Sequence, residues 1–161
     1  VALQVVYLVR HGKAEAAGAG GDRQRALSSE GRRRIAELVP QASSRGMAVD
    51  LALSSPYLRA LQTRDLFLPA LGNPRVENST VLTPESDPGD AVDELLSWEA
   101  GGVKSAAVFT HNPFVSGLAD LLLAPGAWPD RVFHTPTILA LGFDAGLAPP
   151  RTGKVLWVLH P

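Results

Sequence analysis

The chain has 161 residues, 45% of them apolar and 19% charged, with a formal net charge of -1. That composition suits one domain, spanning residues 1–161 around its own hydrophobic core, and excludes an intrinsically disordered chain. The near-zero charge gives no global basic field for nucleic acid, the lack of cysteine excludes disulfides and thiolate chemistry, and no apolar run nears the roughly 20 residues of a membrane helix. A cytoplasmic protein fits the missing cysteines. Val1 to Val9 lacks a basic leader and a cleavage site, so no signal peptide is expected.

Gln4 to Val9 (QVVYLV) is a short apolar, β-branched run and predicts a buried strand. A flexible glycine-rich loop is expected from Gly18 to Gly21. Ser28 or Ser29 can cap a helix running to about Ser43, with Glu30 favourable in its first turn. Ile35, Leu38 and Val39 fall at i, i+3 and i+4 and mark its buried stripe. Leu51 to Leu53 is a second apolar run, ending in Ser54-Ser55-Pro56. Pro56 suits the first turn of a helix from Tyr57 to about Leu71. A short strand is expected within Val76 to Val81, then a helix from Gly89 to Glu99. Ser105 to Phe109 predicts a strand and Pro113 to Leu123 a helix. Thr137 to Phe143 and Lys154 to Leu159 predict late strands, joined by a hairpin-like return through Gly146, Pro149 and Pro150. Strands alternating with longer helices predict an α/β three-layer sandwich, with a largely parallel central sheet and helices on both faces. The late pair can add an antiparallel edge.

In open α/β sheets, ligands bind beyond the carboxyl ends of the strands. Three polar groups lie at such ends. Arg10-His11-Gly12 follows the first strand. Ser54-Ser55-Pro56 follows the second and leads to Arg59, one turn into its helix. Thr110-His111-Asn112-Pro113 follows the third and opens a helix. Together they supply two guanidinium groups, two imidazoles and a helix N-terminus, with no carboxylate in the set. That combination suits a dianionic phosphoryl group. Arginine matches its oxygens bidentately, and free N–H groups at a helix start add partial positive charge. A neutral imidazole is a competent nucleophile near neutral pH. Taken singly, each residue has a plainer explanation: a histidine after a strand is usually structural, and an arginine on a helix is usually solvated. His11 and His111 could instead be metal ligands, but no third histidine or carboxylate sits at ligand spacing, so no metal is expected.

LVRHGKAE (Leu8 to Glu15), SSPYLRALQT (Ser54 to Thr63) and VFTHNP (Val108 to Pro113) resemble the signatures of the histidine phosphatase superfamily. Within it, the chain is similar to the small SixA-type phosphohistidine phosphatases. The resemblance covers nearly the whole chain, in order; the RHG triplet alone is weak, but the three motifs together are specific. It implies that His11 is the nucleophile and becomes transiently phosphorylated. It implies that Arg10, Arg59 and His111 hold the phosphoryl oxygens. Arg25, in RALSSEG, is similar to a family arginine and would be a further phosphate contact. Gly12 would let the backbone pass close to the ligand. Ser55 and Asn112 are candidate substrate contacts, with turn and cap roles as the alternative.

Larger members of the superfamily carry a glutamate general acid after the central helix. Here that region reads VLTPESDPGD (Val81 to Asp90), similar to the SixA branch, which lacks a clear equivalent. Glu85 is the nearest candidate acid, with Asp87 and Asp90 beside it; the plainer explanation for all three is solvated loop charge. A missing acid suits a phosphorylated imidazole, whose leaving group can be protonated before departure, better than an alkyl ester. The resemblance thus implies a phosphohistidine hydrolase, acting on a phosphorylated protein without a cofactor or metal. The alternatives are a small-molecule phosphomonoesterase and, from another class, a non-catalytic phosphate-binding module. A mutase is disfavoured by the short chain, and a mere binding site would not need His11. The basic run Arg32-Arg33-Arg34 reads as a solvated helix face or a docking surface for an acidic partner. Trp98, Trp128 and Trp157 read as packing residues, and His134 and His160 match no motif.

Overall fold

The computed structural model describes residues 2–161. Six strands and four α-helices follow in chain order: β1 (Val5–Arg10), α1 (Ser29–Ser44), β2 (Leu51–Ser54), α2 (Leu58–Leu71), β3 (Arg75–Asn78), α3 (Pro88–Ala100), β4 (Ser105–Thr110), α4 (Phe114–Leu122), β5 (Thr137–Gly142) and β6 (Lys154–Leu159). The strands form one sheet in the order β3-β2-β4-β1-β5-β6. The first four of that order are mutually parallel. β5 runs antiparallel to β1, and β6 pairs antiparallel with β5. The sheet is therefore largely parallel with an antiparallel addition, as the sequence predicts. No helix among the described residues is long and apolar enough to cross a membrane.

Alternation along the strands builds two cores, one on each face. Val6, Leu8, Leu53, Val108 and Leu139 face Leu95 of α3 and Val115 and Leu118 of α4. Tyr7, Val9, Ala52, Phe109 and Ile138 face Ile35 and Leu38 of α1 and Phe67 of α2. Helices cover both sides, which explains why the central strands are apolar runs rather than alternating ones.

Three boundaries differ from the sequence expectation. The strand expected within Val76 to Val81 is β3 alone, followed by a 3-10 turn at Thr80–Leu82. Ser79 ends the strand because its hydroxyl accepts the Val81 N–H and starts the turn. Pro56 lies just before α2, not in its first turn, because Tyr57 is the cap. The Asp22–Gln24 segment, just past the predicted flexible loop, forms a 3-10 turn.

The start of α1 fixes the segment after β1. Ser28 caps the helix by accepting the Gly31 N–H at 3.0 Å, and its hydroxyl donates to the Lys13 carbonyl at 3.0 Å. A Cβ on Gly31 would overlap that same carbonyl oxygen. Glycine is required there because helix and loop backbones touch. Gly31→Ala should lower the free energy of unfolding by about 1–3 kcal/mol, the usual cost of overpacking. Urea denaturation checks this, and an unchanged midpoint would contradict it.

Candidate active site

Strand order decides where the three polar strand ends meet. β4 lies between β1 and β2, so the residues after these strands stand side by side on one edge. Backbone pairing continues past the strands. The His11 N–H donates to the Thr110 carbonyl at 3.0 Å, and the Ser55 N–H to the Phe109 carbonyl at 2.9 Å. The His111 carbonyl accepts the Val115 N–H at 2.7 Å, which ties it to α4.

The His11 and His111 rings lie edge to face with centres 5.1 Å apart. They are 8% and 1% exposed. His11 Nδ1 is 2.7 Å from the Gly12 carbonyl. A carbonyl only accepts, so Nδ1 carries the proton and Nε2 keeps its lone pair. Arg59 Nε–H donates to that Nε2 at 3.2 Å. Burial pushes His11 down to about 4, the Gly12 bond opposes the shift, and the charges of Arg59, Arg10 and Arg25 reinforce it. His111 is pushed down to about 3, mainly by burial and then by the charges of His11 and Arg59. Both imidazoles are therefore neutral near neutral pH.

Arg59 is the second residue of α2 and 5% exposed, so it stands at the helix start rather than one turn in. Its Nη1 donates to the Asp22 carbonyl at 2.9 Å, and its Nη2 reaches the Asp22 carboxylate at 3.2 Å. Arg25 Nη1 donates to the other oxygen of that carboxylate at 3.1 Å, and its Nε to the Glu15 carbonyl at 2.8 Å. Asp22 thus bridges Arg25 and Arg59. The sequence pattern contains no carboxylate at this place; the 3-10 turn brings one in because two guanidinium groups attract it. Its hydrogen bond from Arg25 and the charge of Arg59 hold the Asp22 carboxyl below the usual carboxylate range. It is ionised at neutral pH and cannot serve as a proton donor there. Arg10 ends β1; its Nη1 donates to the Phe133 carbonyl at 2.7 Å, and its buried Nε has no protein partner. Burial lowers its pKa from the ordinary arginine value.

The remaining predicted residues divide. Ser55 is fully buried, and its Oγ is 2.7 Å from His111 Nε2. The Gly12 N–H donates to Thr63 Oγ at 3.1 Å. A Cβ on Gly12 would lie 2.7 Å from Ile35 Cδ1, so a larger residue there would push the Ile35 side chain of α1 aside. Asn112 Oδ1 accepts the Ser116 hydroxyl at 2.6 Å. Glu85 is exposed and accepts the Tyr57 hydroxyl at 3.2 Å. The Tyr57 ring lies edge-on to His111 at 5.1 Å. Asp87 caps α3 and Asp90 sits in its first turn. Arg32 and Arg33 are exposed, and Arg34 pairs with Glu30 on the same helix face.

Sequence reasoning missed Asp22, Tyr57, Thr63 and Phe133 as site neighbours. Thr63 had a signal: it lies four residues after Arg59, on the same helix face. Its hydroxyl donates to the Arg59 carbonyl at 2.7 Å while accepting the Gly12 N–H. Phe133 acts only through its carbonyl, which any residue carries, so no side-chain pattern could reveal it.

The model of the histidine phosphatase superfamily (branch 1) matches residues 6–83. The protein histidine phosphatase SixA, solved with tungstate, superposes with a TM-score of 0.84 at 29% identity, covering 98% of this chain and 97% of that one. The match over residues 6–83 and the likeness to SixA together support a phosphatase enzyme of this superfamily. Within the superfamily it is similar to SixA. A protein assigned as a SixA phosphohistidine phosphatase, from Agrobacterium tumefaciens, shares the fold with a TM-score of 0.81 at 24% identity and 98% coverage of both chains. A mycobacterial glucosyl-3-phosphoglycerate phosphatase shares it more loosely, with a TM-score of 0.67 at 16% identity, covering 96% of this chain and 98% of that one. No curated protein matches the sequence.

Two predictions follow from the charges. Titration followed by NMR should give His11 a midpoint near 4 and His111 one near 3, both below the ordinary 6.5. Because these folded values lie below the unfolded one, their contribution to stability is complete above about pH 6.5 and is lost as pH falls toward the folded values. Midpoints above 6 for both would contradict the burial argument. Separately, Asp22→Asn should tighten orthophosphate binding roughly fivefold, about the ~1 kcal/mol of an exposed ion pair, because the carboxylate competes for Arg59 and Arg25. Competitive inhibition measures it, and weaker binding would show that Asp22 helps rather than competes.

Proposed function

We propose that this phosphatase hydrolyses phosphohistidine, carried by a protein, through a double displacement at His11. One observation carries the reading. The Nε2 lone pair of a neutral His11 is held by Arg59 beside His111, and no carboxylate among the described residues hydrogen-bonds either imidazole. The nucleophile is in place, but a dedicated proton donor for a poor leaving group is not.

In the first step, His11 Nε2 attacks phosphorus and the P–N bond to the substrate imidazole breaks. The substrate imidazole carries a proton on its distal ring nitrogen before transfer, so it departs neutral and no enzyme acid is required. In the second step, water attacks phosphorus, the P–Nε2 bond breaks with its electron pair returning to His11 Nε2, and the water protons leave with orthophosphate. Arg10, Arg59 and His111 stabilise the charge on the equatorial oxygens in both steps, and Arg25 adds to them from the mouth. Arginine supplies the positive charge that a metal supplies elsewhere, so the reading needs no cofactor. The likeness to a SixA solved with tungstate, an oxyanion, supports a phosphatase reading. A cytoplasmic setting, where phosphorylated signalling proteins reside, is in keeping with the cysteine-free sequence.

A second reading rests on Glu85. Its carboxylate accepts the hydroxyl of Tyr57, whose ring packs edge-on against His111, and an ester hydrolase could recruit it as an acid. Rates on phosphohistidine and on an alkyl phosphate monoester separate the two. A strong preference for phosphohistidine supports the proposal, and equal rates favour a general phosphomonoesterase. Glu85→Gln should change the phosphohistidine rate by less than about threefold, against the ~10²–10⁴-fold typical of a lost general acid. A fall above about 100-fold, with folding and phosphate affinity intact, would place Glu85 in the chemistry. His11→Ala should abolish turnover while keeping orthophosphate binding; a folded, active variant would remove His11 from its role.

A further inference from the structure

The hydroxyl of Ser55 has two neighbours in a fully buried position. Its Oγ accepts the Tyr57 N–H at 3.2 Å and lies 2.7 Å from His111 Nε2. The other ring nitrogen of His111, Nδ1, is buried and has no partner in the protein. A neutral imidazole carries one N–H, and the two possible positions leave different accounts of the hydrogen bonds. If Nε2 carried it, Ser55 would accept from both Tyr57 and His111. Its own O–H would then be buried without an acceptor, and His111 Nδ1 would present a bare lone pair. If Nδ1 carries it, Ser55 accepts from Tyr57 and donates to Nε2. Of the side-chain polar atoms of Ser55 and His111, only one donor, His111 Nδ1–H, is then unpaired. Buried polar groups are overwhelmingly satisfied, so the second account is the one the fold supports.

We infer that Ser55 is a positioning residue: its hydroxyl fixes His111 as the Nδ1–H tautomer, so that Nδ1–H donates to a phosphoryl oxygen during transfer. Of the two roles the sequence leaves open for Ser55, a substrate contact or a turn, the inference takes neither alone: the hydroxyl acts on the substrate indirectly, through His111. Tyr57 sets the hydroxyl through its backbone N–H, and it is the residue that caps α2, which carries Arg59 as its second residue. One turn therefore orients both a donor histidine and the arginine that faces His11. His11 has the same proton placement for the opposite purpose: its Nδ1–H is spent on Gly12, which leaves the lone pair on Nε2, where Arg59 donates until phosphorus takes its place.

This inference rests on the phosphotransfer reading only for its consequence; the tautomer can be tested on the free protein. Long-range proton–nitrogen NMR near neutral pH should show His111 protonated at Nδ1 and unprotonated at Nε2. In Ser55→Ala the Nε2–H form should become substantially populated. An Nε2–H form in the wild type, or no change in Ser55→Ala, overturns the inference. Isosteres provide an independent arm that survives if Ser55→Ala fails to fold. Asparagine places its amide near the Nδ1 position and glutamine near Nε2. His111→Asn should bind orthophosphate at least about tenfold more tightly than His111→Gln, both being folded by circular dichroism. Equal affinities, or the reverse order, overturn it. On phosphohistidine, Ser55→Ala should lower kcat/KM by roughly 10–100-fold, the scale typical of a lost outer-shell partner. If phosphohistidine is not turned over at all, the substrate reading fails while the tautomer and orthophosphate results still decide the role of Ser55.

Discussion

The 3.2 Å hydrogen bond from Arg59 Nε–H to His11 Nε2 constrains the whole site. A guanidinium always donates, so whatever it faces must keep a lone pair. That forces the His11 proton onto Nδ1, where the Gly12 carbonyl receives it. The same bond requires a buried arginine, and burying a charge is costly unless it is paired. Asp22 meets that requirement through both its carbonyl and its carboxylate. Thr63 then joins the Arg59 backbone to Gly12, so arginine and histidine share one scaffold.

Neutrality of the two histidines follows from the same arrangement. Burial alone disfavours an imidazolium, and nearby arginines disfavour it further. Positive charge is thus concentrated on groups that cannot act as nucleophiles, while the groups that can are held uncharged. This division of labour resembles solvation of the transition state by fixed dipoles and charges, arranged before the substrate arrives. It also explains why a sheet with helices on both faces suits the chemistry. β4 sits at its centre and delivers His111 between the ends of β1 and β2.

Much of this was legible in the sequence, for identifiable reasons. Apolar runs such as QVVYLV and AAVF mark strands covered on both faces, and their polar ends mark the edge where open α/β sheets bind ligands. Arg10, His11, Arg59 and His111 carry distinctive side chains at those ends, so their convergence could be anticipated. What stayed hidden depended on long-range or backbone contacts. Asp22 reaches Arg59 across 37 positions of sequence and lies in a segment next to the glycine-rich loop. Phe133 meets Arg10 through a carbonyl. Ser55 was open between a substrate contact and a turn role, because only the three-dimensional structure shows its hydroxyl against His111. Short irregular elements also escaped, since turns of three residues have no period to detect.

The central claim is that His11 Nε2 takes the phosphoryl group. Rapid quenching of the wild-type enzyme during turnover of phosphohistidine, followed by phosphorus NMR and peptide mass spectrometry, tests it directly. The account predicts one labile phosphoryl group, on His11, attached at Nε2. A phosphoryl group on His111, attachment at His11 Nδ1, or turnover with no phosphoenzyme at any quench time would contradict it.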